Sequence, residues 1–301
     1  MPRDVGADVP HVELASDPVV MTAEIRALLA RRLPSYDVRT VSLLGAGLQN
    51  VAYDVNGELV VRVSIAAADQ RGALVAREAE ILRRVGTFAT LPVPSLVFAD
   101  EEAGALAYDR LPGTSLLDEP RLTANLGAQV GTFLGSLHAA AAMADVAPRD
   151  TFTTSEWLTD AGDQFAQLTS GLNSRERVAI ETFLATAPPP SSARETFCHN
   201  DFGAEHILVG SSGRLTGVID WSDAAMTDPA YDWGLVWRDL GPRVFTEALA
   251  HYSQPFDDTD IARAVFYARC SLLEDFAYGI RDGRAPYLRA ARRNFRHTFA
   301  V

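Results

Sequence analysis

Lysine is absent from this chain: all 27 basic side chains among its 301 residues are arginine. Every permanent cation is therefore a planar guanidinium, and an ammonium point charge is excluded from any site the chain builds. Cysteine is scarce, since Cys198 and Cys270 are the only two and follow no spacing pattern. A disulfide framework is excluded on that ground, and a reduced, cytoplasmic protein is expected. Neither an apolar signal core nor a span of about 18 apolar residues occurs, so no membrane segment is expected. An excess of basic charge is also missing. The formal net charge is −12, which argues against a nucleic-acid partner and favours a cationic small molecule. No internal repeat is found. What is present, 48% hydrophobic and 22% charged residues, suffices for a large core and more than one domain.

The most informative stretch runs His199-Asn200-Asp201-Phe202-Gly203-Ala204-Glu205-His206-Ile207-Leu208-Val209, followed by Gly217-Val218-Ile219-Asp220-Trp221. Ile207–Val209 and Leu215–Ile219 read as short buried strands around the turn Gly210-Ser211-Ser212-Gly213. A hairpin over them sets His206 before its first strand and Asp220 just after its second, so both converge on one end. An Asp at 201 in a turn accepts the proton of an incoming hydroxyl, while His206 and Asp220 hold metal ions that bridge transferring phosphates. The same spacing also fits a surface hairpin flanked by solvated acids, with His206 as a structural residue.

Upstream, Val41–Val55 reads as two strands joined by a glycine-containing loop, Gly45-Ala46-Gly47. That loop is either a plain turn or a place where backbone N–H groups approach an anion. Glu58–Val63 alternates as a third strand carrying Arg62, and Ala73–Val85 reads as a helix carrying Glu78. Ala105–Tyr108 is strand-like, and Asp109–Thr114 is the expected junction between a smaller unit at 1–108, opened by a loose leader at 1–17, and a mostly helical unit at 109–301. Leu126, Val130, Phe133, Leu134 and Leu137 mark a buried helix ending near a structural His138. Residues 154–186 carry two helical patterns split at Ser170–Asn173, and 187–192 is a stiff linker. Helices are expected at 243–252, 259–280 and 286–298.

The string His-Asn-Asp-Phe-x-x-x-His-Ile-Leu-Val, then Gly-Val-Ile-Asp-Trp, then Asp228-Pro229-Ala230-Tyr231-Asp232, resembles the aminoglycoside/macrolide phosphotransferase family, antibiotic kinases related to the protein kinases. The likeness covers nearly the whole chain from about Val41. It implies an α+β, two-lobed, protein-kinase-like fold: a small N-terminal antiparallel-sheet lobe and a mostly helical C-terminal lobe. It implies Asp201 as catalytic base, His206 and Asp220 as ligands of Mg²⁺, and Asp228-Pro229 as a buried corner. Most family members carry Asn at the first ligand position. His206 there looks like the aminoglycoside 2''- and macrolide 2'-phosphotransferases. For the nucleotide, the resemblance implies Gly45 and Gly47 at the phosphates, Arg62 with Glu78 in place of the family's lysine–glutamate pair, and Tyr108 behind the purine base, where a bulky residue accompanies use of GTP.

The acceptor is less defined. Asp223, Asp228, Asp232 and Asp239 follow the metal carboxylate, and Glu274-Asp275 lies in an apolar-rich helix. Acids converging near the base, Asp223, Asp232, Glu274 and Asp275, would select amines. Trp157, Phe165, Trp233, Trp237, Phe276 and Tyr278 would instead line an apolar pocket for a macrolide. The expectation is a monomeric, Mg²⁺-dependent enzyme that moves the γ-phosphate of GTP or ATP to a hydroxyl of an aminoglycoside or macrolide, giving antibiotic resistance. Two alternatives stand beside it: a kinase of a small amino alcohol or sugar, and a nucleotide-binding regulator that has lost catalysis.

Overall fold

The computed structural model describes residues 18–47, 49–118, 125–168 and 171–300. The expected leader at 1–17, Leu48 of the glycine loop and Ser170 of the helix split lie outside them. The chain forms two compact units that divide at Leu111–Pro112, apart from Phe88–Leu91, which belongs to the second.

The first unit contains α1 (Pro18–Arg32), β1 (Val41–Ala46), β2 (Asn50–Val55), β3 (Leu59–Ser64), α2 (Ala68–Val85), β4 (Leu96–Asp100) and β5 (Ala105–Asp109). Its sheet has the order β1-β2-β3-β5-β4, with every neighbouring pair antiparallel. The period of two in a strand sorts its residues. Odd-numbered Val51, Tyr53, Val55, Leu59, Val61, Ala105 and Ala107 bury one face against Ile25, Leu28 and Leu29 of α1. The even-numbered set faces α2, as the pairing of Arg62 with Glu78 shows. Asn56-Gly57 turns β2 toward β3 with φ of 60° and 74°, the Glu58 amide donating to the Val55 carbonyl at 3.0 Å, a β-turn whose two central residues are both left-handed. Helix α2 starts earlier than expected, at Ala68. Its first turn, Ala-Asp-Gln-Arg, carries no apolar period for sequence reading to detect.

The second unit contains β6 (Thr114–Ser115), α3 (Leu126–His138), α4 (Thr154–Gln167), α5 (Ser174–Leu184), β7 (Thr196–Cys198), β8 (Ile207–Val209), β9 (Leu215–Val218), β10 (Ala225–Thr227), α6 (Ala230–Leu249), α7 (Asp258–Arg281) and α8 (Ala285–Thr298). Thr153 with Glu156, Asn173 with Glu176 and Asp257 with Asp260 form reciprocal caps that start α4, α5 and α7, satisfying N–H groups that a helix start leaves open. The helix expected at 243–252 is the tail of the longer α6. Residues 230–236 are all buried, and a helix enclosed on every side shows no amphipathic period. A break at Gly241 (φ 78°) and Pro242 separates that tail from the buried half. Helix α6 is central, packing against α3, α7 and α8. Among the described residues no helix is long and apolar enough to cross a membrane, and both cysteines are free and buried.

Candidate active site

Strand β7 ends at Cys198 and β8 begins at Ile207, so the segment 199–206 must turn between them. Asp232 of α6 holds its first residues: one carboxylate oxygen accepts from the His199 amide and the other from the Asn200 amide, both at 2.9 Å. His138 lies 3.1 Å from the same carboxylate and 2.7 Å from the Tyr252 hydroxyl. Asp232 has no exposed surface, so the expectation that it contacts substrate is corrected. It is a structural acceptor whose partners are backbone amides 32 and 33 residues away in the chain. Asn200 turns the chain with φ 62°, a conformation that asparagine tolerates better than most residues. Its side-chain amide donates to Asp150 and to the Asp223 carbonyl, both at 3.1 Å. Phe202, 1% exposed, stacks on Phe133 at 5.6 Å. Truncating such a ring costs about 3–5 kcal/mol, so the segment is anchored by packing as well as by hydrogen bonds.

The hairpin of β8 and β9 places the other site residues. Ile207 pairs with Val218, which brings His206 beside Ile219, and the Ile219 amide donates to the His206 carbonyl at 2.9 Å. The Ile219 carbonyl accepts from His199 Nε2 at 3.0 Å. A carbonyl only accepts, so Nε2 carries the proton, and burial lowers the His199 pKa to about 4. His199 is therefore a neutral strut between the two arms of the site. Asp220 follows with φ 64°, and its carboxylate accepts from the Ser222 hydroxyl at 2.9 Å. Two non-glycine residues in the left-handed region, Asn200 and Asp220, thus flank the convergence point, where backbone strain is commonly stored.

His206 stands between two acids. Its Nδ1 is 3.4 Å from the Asp201 carboxylate and its Nε2 is 3.7 Å from that of Asp220. Burial lowers the imidazole pKa, but Asp201, Asp220 and Glu205 outweigh it and hold the ring up at about 9. Burial pushes Asp201 up, His206 pulls against it, and Glu205, Asp223 and Asp220 add to the rise. Positive charge is favoured among these carboxylates. Ligand atoms of Asp201, Glu205 and His206 lie within 4.8 Å of one another. With Asp220 beside them, the donors are mainly hard carboxylate oxygens, which fit Mg²⁺; the single imidazole is the softer member.

The remaining acids divide sharply. Asp275 is 9% exposed and is paired to the buried Arg238 at 3.2 Å, so its expected substrate contact is corrected too: an internal guanidinium already occupies it. Arg238 also binds Asp239, at 2.8 Å, and approaches Glu205, at 3.8 Å. Asp223 is exposed and Glu274 is half-buried. Asp228 is the expected buried corner, accepting from the Ala230 amide at 3.0 Å and from Arg263 at 2.8 Å. Of the aromatic residues, Trp157, Trp233 and Phe276 are core, between 0% and 4% exposed. Glu205 and Arg238 escaped the sequence reading, and Asp239 was named there only among the acids that follow Asp220. The usable signal was the spacing of Asp232 and Asp239, which share one face of a helix.

In the first unit, Arg62 Nη1 donates to Glu78 at 2.5 Å, with both side chains buried. Turning the Asn50 amide so that its oxygen faces Arg62 gives a further contact at 2.8 Å. Tyr108 pairs with Val60 and Leu106 with Arg62 across β3 and β5, so Tyr108 and Arg62 share a face. Gly45 lies at a register shift in β1, and the Gly47 amide donates to the Asn50 carbonyl at 2.9 Å. A Cβ on Gly45 would meet nothing within 4 Å; the space over this turn is open.

Residues 40–265 match the sequence model of the family described as "Phosphotransferase enzyme family". Viomycin phosphotransferase of Streptomyces vinaceus is 27% identical over 192 residues, covering 61% of this chain and 66% of that protein. The chain spans less than two thirds of the length of the curated relatives it matches. Among solved structures, the GDP complex of an aminoglycoside 2'-phosphotransferase superposes with a TM-score of 0.69 at 20% identity, over 92% of this chain and 98% of that one. Macrolide 2'-phosphotransferase type I superposes with a TM-score of 0.63 at 19% identity, over 93% and 98% of the two chains. These likenesses show a kinase-like fold shared with antibiotic phosphotransferases.

Proposed function

The chain belongs to the phosphotransferase enzyme family, and from that premise we propose that it transfers the γ-phosphate of a nucleoside triphosphate to a hydroxyl of an antibiotic. The observation that carries this reading is the row Asp201, His206, Asp220, with adjacent side chains 3.4 and 3.7 Å apart. Asp201 is the base that orients the acceptor hydroxyl and takes its proton as the phosphate bond forms. His206 and Asp220 would hold Mg²⁺, with Glu205 beside them, and an ion held there would supply positive charge against the phosphates. No covalent enzyme intermediate is needed, because positioning and charge supply most of the acceleration. Nucleoside triphosphate and two free thiols both suit a reducing cytoplasm.

For the donor, Arg62 steadied by Glu78 supplies the cation that meets the phosphates, Gly45 and Gly47 bring backbone N–H groups to them, and Tyr108 limits the depth of the purine, favouring GTP. The acceptor carries amines that meet Asp223 and Glu274, as on an aminoglycoside. The test is transfer of labelled γ-phosphate from GTP and from ATP to a panel of aminoglycosides, macrolides, viomycin, amino alcohols and sugars. Labelling of an antibiotic supports the reading; labelling confined to an amino alcohol or sugar replaces it with a metabolite kinase.

Two variants probe the parts separately. His206→Ala is expected to raise the Mg²⁺ concentration needed for half-maximal rate by about tenfold or more, in the range seen when a ligand environment is lost, whereas His206→Asn keeps an oxygen donor and stays active. An unchanged magnesium titration in His206→Ala would make the imidazole structural. Arg62→Ala is expected to raise nucleotide KM and lower kcat, with Arg62→Lys restoring much of both, because either cation meets a phosphate. Equal nucleotide kinetics in wild type and Arg62→Ala would remove Arg62 from the donor site.

A further inference from the structure

The loop that carries Asp201 is tied to one helix at both of its ends. Asp232 and Asp239 both lie on α6, and a separation of two helical turns puts them on the same face. Asp232 takes the His199 and Asn200 amides; Asp239 takes the Ala204 amide, also at 2.9 Å. Asp201 stands between the ties. The second tie is itself rigidly held. Arg238 grips Asp239 with two parallel bonds, 2.9 Å from Nε and 2.8 Å from Nη2, and Asn294 of α8 adds a third at 3.2 Å.

Arg238 is 5% exposed, and a charge removed from water to that degree depends on its acids to offset the cost of burial. Its remaining contacts reach Asp275 and Glu205. The Glu205 carboxylate lies so close over Gly203 that a Cβ there would push it aside. Past Asp201 the loop is also held by Phe202 packed on Phe133, by the Leu117 amide and Ser115 hydroxyl donating to the Ala204 carbonyl at 3.2 and 3.1 Å, and by the Ile219 amide at the His206 carbonyl. The Asp239 tie adds the direct link from this end to α6; without it the Ala204 amide loses its acceptor and the stretch that carries Asp201 is held less tightly.

We propose that Asp239, locked by Arg238, is a positioning residue that fixes the far end of the loop at Ala204 and thereby sets where Asp201 and His206 stand. Asp239 touches neither the acceptor nor the phosphates; it acts through the Ala204 amide. The kinetic consequence rests on the phosphotransfer reading, while the structural one does not.

Two substitutions separate the tie from the ion pair. Asp239→Ala removes the acceptor. Ala204→Pro removes the donor and leaves the Arg238–Asp239 pair whole. Both are expected to lower kcat by about tenfold or more while nucleotide KM stays within about threefold, as for a displaced catalytic group. Asp239→Asn, which keeps an oxygen for the Ala204 amide, should recover most of that loss. Amide exchange over 202–206, followed by mass spectrometry well below Tm, should be faster in Asp239→Ala and Ala204→Pro than in wild type and close to wild type in Asp239→Asn. Wild-type kcat and exchange in Ala204→Pro would overturn the proposal, as would equal losses in Asp239→Asn and Asp239→Ala, which would mark a charge needed only for the core. Should Asp239→Ala not fold, the other two variants decide. Should the wild type transfer no phosphate, the exchange measurements still decide the tie.

Discussion

Asp201→Asn is expected to lower kcat by about 10²-fold or more, with nucleotide KM near wild type, in line with loss of a general base. The size of the effect follows from geometry. Asp201 is the carboxylate at the centre of the tethered loop, and its 3.4 Å approach to His206 places it beside the other convergent side chains. Asparagine keeps the shape and loses the negative charge, and with it the capacity to take a proton. Stability should move the other way. Burial raises the Asp201 pKa in the folded protein, so the folded state binds that proton more tightly than the unfolded chain, and the ionised carboxylate opposes folding above the ordinary carboxylate range. Asp201→Asn should therefore melt at or slightly above the wild-type Tm. A variant within about threefold of wild-type kcat, with chemistry rate-limiting, would take Asp201 out of the base role.

Asp232→Ala carries the second large effect, and it separates a structural acid from a substrate-binding one. Two backbone amides and His138 lose their acceptor at a position with no exposed surface. Each buried donor left unsatisfied costs about 1–3 kcal/mol, so a loss of about 3 kcal/mol or more is expected. For a unit of this size that corresponds to a Tm lower by about 6–12 °C. For comparison, an exposed ion pair such as Arg39–Glu58, with side chains 61% and 52% exposed, contributes about 0–1 kcal/mol. Activity should fall with the loosened loop, while acceptor KM in the remaining folded protein changes little. A wild-type Tm combined with a raised acceptor KM would return Asp232 to the substrate site.

These two acids show what was legible in the sequence. The convergence of His206 and Asp220 was readable because it is local: two short strands, a turn and a period of two bring them to one end of a hairpin. The antiparallel sheet of the first unit was readable for the same reason, as were the helical patterns of α3, α7 and α8. Asp232 and Asp275 were misread because their partners lie far along the chain. Nothing near Asp232 announces the amides of residues 199 and 200, and Asp275 meets Arg238 only where α7 packs on α6. The first half of α6 was missed since a helix buried all round shows no apolar stripe. Neither the strut made by His199 nor the strain at Asn200 and Asp220 has a sequence signature of its own.

The most direct test of the account is phosphorus NMR of an acceptor incubated with Mg²⁺ and nucleoside triphosphate in the presence of wild type or Asp201→Asn. The acceptor is the antibiotic best labelled in the panel. The account predicts a phosphomonoester resonance, coupled to a carbinol proton of the antibiotic, that grows with wild type and stays near background with the variant. Release of inorganic phosphate alone by the wild type, or an ester that forms equally fast with both proteins, would contradict it.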